Sequence, residues 1–216
     1  MGAEMFSESK KKRRIRQSVL CDRQSSEQEI GKIYHQRYQV RKILGEGGMG
    51  KVFLALDQKT GKEVAVKIVK DQKQWDRERV ILQKLKHTKG VPELFFAGKE
   101  KELFLVMEYI LGNSLKRYGR VCGKLYKKES LLWMIKICKV LNKIHEQGII
   151  HMDLKPENIM LDRSGNIYLI DFGAALFAGE KLSGYGTKNY ASKKQAKTEE
   201  RADIYFCLLY TSPSPR

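Results

Sequence analysis

From Tyr38 onward the apolar positions fall into short alternating or β-branched runs, "YQVRKIL", "KVFLAL" and "EVAVKIV", separated by Gly or Asp. Runs of that length and period predict strands. "DQKTGK", between the second and third, supplies a hairpin turn. The period then changes. "WDRERVILQKLKH" carries Val80, Ile81, Leu82 and Leu85 on what reads as the apolar stripe of a helix. "ELFFAG" and "ELFLVMEYI" return to strand, and "SLLWMIKICKVLNKIHEQG" is a long amphipathic helix closing on Gly148 as its C-terminal cap. Two short strands, in "NIML" and "NIYLIDFG", follow. The pattern predicts a β-rich part over 35–110, a join near Leu111 and Gly112, and a more helical part over 111–206, behind a polar leader at 1–34. No internal repeat is visible.

Composition changes this picture little. A chain of 216 residues with 42% hydrophobic and 31% charged positions has the make-up of a soluble globular protein. The formal charge of +17 invites a nucleic-acid or anionic-membrane partner. Six of those cations lie in the seven residues "KKKRRIR", however, and a solvated leader is the simpler reading, so nucleic acid is the less favoured partner. No apolar run reaches the ~18–20 residues of a membrane span, and the N-terminus lacks the apolar core of a secretory signal. Cys21, Cys122, Cys138 and Cys207 show neither metal-ligand spacing nor a disulfide framework. They read as reduced thiols, which points to a cytoplasmic location.

The chemistry concentrates in four places. "GEGGMGKV" sets Gly45, Gly47 and Gly50 in G-x-G-x-x-G-x-V. A dinucleotide fingerprint has the same glycines but opens a helix, whereas "KVFLAL" reads as a strand. A glycine hairpin between strands can fold over phosphates, because backbone N–H groups approach where no Cβ intervenes. "VAVK" puts Lys67 on one strand face with Ala65, opposite Val64 and Val66, and Glu78, in the middle of the helical "DRERVIL", could pair with it. A glycine-rich turn, a solvated strand lysine and an exposed helix glutamate are the plain alternatives when each is taken alone. Asp153, Lys155 and Asn158 in "DLKPEN" precede Asp171 in "LIDFG". Two carboxylates and an amide at strand ends can share one site, with one carboxylate and the amide oxygen suited to Mg²⁺ and the other carboxylate to a hydroxyl proton.

In order and together these segments resemble the eukaryotic-like serine/threonine protein kinase family, over about Tyr38 to Phe206. The "GGMG" loop and the short "DFGAAL" segment resemble its bacterial members. The resemblance implies an α+β, bilobal fold with a small β-rich N-lobe and a mainly helical C-lobe, truncated in this chain. It implies ATP and Mg²⁺ (or Mn²⁺) as cofactors and a protein substrate with a Ser or Thr acceptor. It further implies that Gly45, Gly47 and Gly50 cover ATP, that Lys67 holds its α- and β-phosphates, and that Glu78 pairs with Lys67. Met107 would be the gatekeeper, Glu108 and Ile110 would offer backbone groups to adenine, and Val52, Ala65 and Met160 would sandwich the ring. Asp153 would be the catalytic base with Lys155 beside it, and Asn158 and Asp171 the metal ligands. Asp203, in "ERADIYF", would anchor the catalytic loop.

Several positions depart from the family pattern. Met152 replaces the arginine that in many members grips a phosphorylated activation segment. Activity is therefore expected not to depend on modification of Ser183, Tyr185 or Thr187. Lys67 and Glu78 are only 11 positions apart, which requires a short helix or a tight loop. Lys193 and Lys194 stand where the family has Pro and Glu. These departures keep a pseudokinase or nucleotide-binding scaffold as the alternative reading. The last ten residues, "CLLYTSPSPR" (207–216), match one translated frame of a common transposon-end sequencing adapter and are expected to be a non-native tail. The 216-residue polypeptide by itself is then expected to be unstable, because helices that pack beneath the site are missing. Physiological substrate, input signal and oligomeric state are not legible.

Overall fold

The structure, a computed structural model, describes residues 29–47, 50–122, 127–180 and Asp203. Residues 1–28 of the leader, Ser183, Tyr185, Thr187, Lys193, Lys194 and the 207–216 tail lie outside the described residues.

The predicted alternating runs form strands. β1 (Ile33–Tyr34), β2 (Tyr38–Gly47), β3 (Gly50–Asp57), β4 (Glu63–Val69), β5 (Leu94–Lys99) and β6 (Leu103–Glu108) make one antiparallel sheet in the order β1-β2-β3-β4-β6-β5. The "DQKTGK" turn is held by the Asp57 carboxylate, which accepts from Arg37 Nε and Nη2 at 2.6 Å each and from Thr60 Oγ1 at 2.7 Å. Arg37 drives the Asp57 carboxyl far below its usual range. Alternation works as predicted along β4. Val64, Val66 and Ile68 pack with Tyr38, Val40, Phe53, Phe104 and Val106 on one face. Val69 and Leu105 of β6 enter a second core on the other.

The sheet curls until its two edges meet. Lys32 Nζ donates to Glu102 Oε2 at 2.6 Å, Tyr34 Oη donates to the same oxygen at 2.9 Å, and His35 stacks on Phe96 at 4.1 Å between ring centroids. Side chains rather than a backbone ladder close this seam, and the first core lies inside it. Burial dominates the shift of Tyr34, whose hydroxyl is pushed far above its usual range.

Between β4 and α1 (Gln72–Lys84) there are two residues, Lys70 and Asp71. Asp71 caps the helix, its side chain accepting from Gln74 N at 2.8 Å. Trp75 is buried one turn in and donates its indole N–H to Phe104 O of β6 at 3.1 Å. The buried face of α1 is Trp75, Glu78, Ile81 and Leu82, with Leu85 buried at its end. Val80 does not belong to the stripe: it is 41% exposed. At 100° per residue it points away from Glu78 and Leu82, so its neighbours in sequence are not its neighbours on the helix.

After β6 the chain forms β7 (Gly112–Ser114), α2 (Leu115–Cys122) and α3 (Lys127–His145). Ile137, Val140, Leu141 and Ile144 of α3 supply one buried face, at the spacing the sequence predicts. The turn after His145 ends at Gly148, which has φ +66° and donates its N–H to His145 O at 2.7 Å. Four short strands follow: β8 (Ile149–Ile150), β9 (Ile159–Asp162), β10 (Ile167–Leu169) and β11 (Leu176–Phe177). β9 pairs with β7 and β10, and β8 with β11. The second core runs without a break from Trp75 and Leu82 through Leu105 to Ile144, Ile159, Leu169 and Phe172. It therefore ties the sheet to the helical part directly behind the loops 151–158 and 170–175.

Gly50 has a packing requirement of its own. Its φ is +134°, and a Cβ there would come within 1.8 Å of Ile68 O. Gly50→Ala is expected to cost about 1–3 kcal/mol locally, read as faster hydrogen exchange at the amides of Val52 and Lys67. Gly45→Ala should leave the same amides unchanged, since a Cβ at Gly45 meets nothing within 4 Å. Equal protection in both variants would refute the assignment.

Candidate active site

The glycine segment is the tip of the β2–β3 hairpin, a strand–strand turn as the "KVFLAL" reading predicts, with Gly45 opposite Val52 and Gly47 opposite Gly50. Next along the sheet, Val52 pairs with Lys67, Ala65 with Met107, and Lys67 with Leu105. Directly paired residues share a face, so Val52, Ala65, Lys67 and Met107 line one surface beneath the hairpin. Met160 is on β9, on the face turned away from Ile159 and Leu161, which pack in the core. Glu108 ends β6, and its N–H donates to Glu93 O at 2.8 Å. Ile110 is buried in the stretch leading to β7.

Lys67 is 4% exposed and Glu78 1%. Lys67 Nζ donates to Glu78 Oε1 at 2.6 Å and Oε2 at 2.7 Å, and to Asp171 Oδ1 at 2.7 Å. The short spacing between Lys67 and Glu78 is thus met by the tight Lys70–Asp71 loop. Burial by itself lowers the Lys67 ammonium, but the Glu78 and Asp171 carboxylates more than reverse this and hold it well above the usual lysine range. Burial pushes the Glu78 carboxyl up in spite of Lys67. For Asp171 burial also acts upward, yet the Lys67 ammonium outweighs it and the carboxyl lies below its usual range. One cation between two carboxylates leaves an excess of negative charge beside Asp171.

The loop after β8 carries the second group. Asp153 is 3% exposed, and its Oδ2 accepts from Lys155 Nζ at 2.5 Å and from Asn158 Nδ2 at 3.1 Å. Asn158 Nδ2 also donates to Asp153 O at 2.9 Å, so the amide is turned with its oxygen away from Asp153. Ile170 N donates to Asn158 O at 2.9 Å, and His151 Nε2 contacts Ile170 O at 3.1 Å. These bonds join the Asp153–Asn158 loop to the strand end that presents Asp171. The β8–β11 pair, Ile150 with Leu176, fastens the far side of both segments.

Two residues here have backbone conformations that L side chains seldom adopt: Met152 with φ +65° and Asp171 with φ +67°. Each costs on the order of 1–3 kcal/mol unless surroundings enforce it. For Met152 the enforcing group is Asp203. Its carboxylate accepts from His151 N at 2.8 Å and Met152 N at 3.0 Å, and it touches His145 Nε2 at 3.0 Å. The sequence reading anticipated Asp203 as the anchor but missed His145 and Trp75. Both lie on the buried faces of amphipathic helices. A polar or bulky residue in a core stripe was the available signal for each.

The residues present fit a hard divalent cation and a polyphosphate. The oxygens on offer, an Asp171 carboxylate and the Asn158 amide oxygen, are the donor type Mg²⁺ prefers, and the local charge is negative. A Cβ at Gly45 or Gly47 would meet nothing within 4 Å. Packing among the described residues does not demand glycine at either position. Among the described residues no cluster of three or more His, Cys, Asp or Glu could hold a metal ion unaided.

Comparison with known proteins agrees with the geometry. The protein kinase domain model matches residues 38–207. The serine/threonine-protein kinase PrkC of Bacillus subtilis is 34% identical over 193 residues, 82% of this chain and 30% of that protein. The probable serine/threonine-protein kinase PknB of Corynebacterium glutamicum is 32% identical over 199 residues, 81% of this chain and 31% of that protein. Sperm motility kinase 2B of Mus musculus is 33% identical over 156 residues, 69% of this chain and 32% of that protein. The chain spans about a third or less of the length of these relatives. With a family model covering most of its length and Lys67, Glu78, Asp171, Asn158 and Asp153 joined by the contacts above, this chain belongs to the protein kinase domain family.

Proposed function

We propose that the protein containing this chain is an ATP-dependent serine/threonine protein kinase. The observation that carries the reading is the chain of contacts from Glu78 through Lys67 to Asp171, and from there by Ile170 and Asn158 to Asp153. It joins a cation, a carboxylate and an amide, groups of the kind that phosphate and Mg²⁺ call for, to a second carboxylate that can accept a proton. A scaffold has no need of this set, and nothing in it is missing.

In this reading Gly45, Gly47 and Gly50 cover the triphosphate with backbone N–H groups, and Lys67, oriented by Glu78, neutralises its α- and β-phosphates. Val52, Ala65 and Met160 bracket the adenine, with Met107 at the back of its pocket and Glu108 and Ile110 offering backbone groups at its edge. Asn158 and Asp171 hold Mg²⁺, or Mn²⁺ in its place, which when bound neutralises charge developing on the phosphate oxygens. Asp153 accepts the proton of a serine or threonine hydroxyl. That oxygen forms its bond to the γ-phosphorus while the bond to the β,γ-bridging oxygen breaks. Lys155 stays beside Asp153, where its charge also meets the phosphoryl group in transit. "DLKPEN" favours protein hydroxyls over small-molecule acceptors. Among the described residues no helix is long and apolar enough to cross a membrane. A cytoplasmic site of action suits the reading.

The test is transfer from γ-labelled ATP in the intact protein, with a mixture of unstructured proteins as acceptors and phosphoamino-acid analysis of the products. Label on Ser and Thr that requires Mg²⁺ is expected. Nucleotide binding without transfer to any acceptor would favour the scaffold.

A further inference from the structure

Between the segment leading into β5, the end of β6, α3 and the start of β10 is a cleft of about 610 Å³. Its floor is rigid. Leu169 N donates to Gly90 O at 2.8 Å, Gln147 Nε2 donates to Thr88 Oγ1 at 2.9 Å, and Val140 closes on Gly90 so tightly that a Cβ there would come within 2.5 Å of it. Val91, Val140 and Ile167 give that floor an apolar character.

The rim is divided by charge. At one end are Glu93 and Glu108: Glu93 Oε1 is 3.7 Å from His87 Nδ1, and Glu108 Oε2 accepts from Glu93 N at 3.4 Å. At the other end α3 presents Lys136, Lys139 and Lys143, one helical turn apart, with Lys89 across from them. Lys136 Nζ donates to Gly165 O at 2.5 Å. Lys89, Lys139 and Lys143 are exposed and have no ion-pair or hydrogen-bond partner for their ammonium groups among the described residues. Three unengaged cations around a stiff apolar groove are what an extended segment with alternating acidic and apolar side chains would complete.

We propose that this cleft is a docking site for an acidic peptide segment of a protein partner, with Lys139 and Lys143 as its principal anchors. A bilayer offers a broad flat surface, which a concave groove cannot follow. A nucleic acid carries phosphate along its whole length and would meet Glu93 and Glu108 at the far end. A peptide can place carboxylates at the lysine end and apolar or neutral side chains at the other. The inference does not depend on phosphotransfer, because binding alone reports it.

The test is fluorescence anisotropy of a labelled peptide of Glu-Asp-Leu repeats with the intact protein. The comparison is between Lys139→Glu/Lys143→Glu and Lys59→Glu/Lys62→Glu, a charge-matched change of exposed lysines on the β3–β4 turn. Reversal in the cleft is expected to weaken binding about tenfold or more, and the control to change it by less than about twofold. A Lys-Lys-Leu repeat peptide should bind the cleft variant better than it binds the wild type, which a folding defect would not produce. Equal losses in both variants would mean attraction to net charge only and would overturn the proposal. So would a preference of the wild type for phosphatidylserine vesicles or an RNA oligomer that is lost on the cleft reversal.

Discussion

Asp153→Asn is expected to lower kcat by about 10²–10⁴-fold while leaving the affinity for Mg-ATP within about twofold of wild type. The substitution is nearly isosteric, and an asparagine Oδ1 can still accept from Lys155 Nζ and Asn158 Nδ2, as Asp153 Oδ2 does at 2.5 and 3.1 Å. Loop geometry should therefore survive, together with the three contacts that Asp203 makes to His145, His151 and Met152. What is lost is the ability to take up a proton. The loss should fall on kcat, because the proton moves only as the hydroxyl attacks. Steady-state kinetics with a nucleotide titration separates the two quantities. A variant with near-wild-type kcat would remove Asp153 from the chemistry.

Lys67→Met should have the other large effect, and it should be double. In the active site it removes the cation expected on the phosphates, for about 10²–10³ in kcat/KM. In the fold it removes the ammonium that, among the described residues, donates to Glu78, which is 1% exposed. Breaking a buried pair by deleting one partner costs about 3–5 kcal/mol. The pH dependence carries a sign that separates this from simple loss of packing. In wild type the Asp171 carboxyl is depressed by Lys67 against the effect of burial, so its stabilisation is present above the unfolded-state carboxyl range and lost on acidification. In Lys67→Met both carboxyls are governed by burial, which raises them. The folded variant then binds protons more tightly than its unfolded chain and gains stability as pH falls through those raised values. The Tm gap between wild type and variant should narrow from pH 7 to pH 5. A constant gap would show that Lys67 does not set the charge of Glu78 and Asp171.

The proximity of the site residues was legible from their patterning taken together with the resemblance to the protein kinase family. Lys67 could be assigned a strand face from the alternation of Val64, Ala65 and Val66. Glycines at 45, 47 and 50 could be given a strand-flanked turn because "KVFLAL" has period two. Asp153, Asn158 and Asp171 came from their position around a short hairpin, which β9 and β10 form. What remained hidden depends on contacts between residues remote in sequence. The closure of the sheet by Lys32 and Glu102 spans 70 positions, and neither residue differs in type from any exposed charge. Val80 was assigned to the wrong face because four consecutive apolar or long side chains blur a 100° step, and only packing against β5 and β6 decides which are inside. The positive φ of Met152 has no signature in its own side chain. It is imposed by Asp203, 51 residues away.

The connection between β4 and α1 also has a consequence for how far Glu78 can move. Two extended residues reach only about 7 Å, and the second of them is already committed to capping the helix. Trp75, one turn on, is moored to Phe104 by its indole N–H. The helix that carries Glu78 therefore has no slack in which to retreat from Lys67. Separating the two means melting its first turn and extracting a buried tryptophan, not swinging a hinge. The fold thus behaves as a gear that never disengages: while this helix stands, its ion pair stays made.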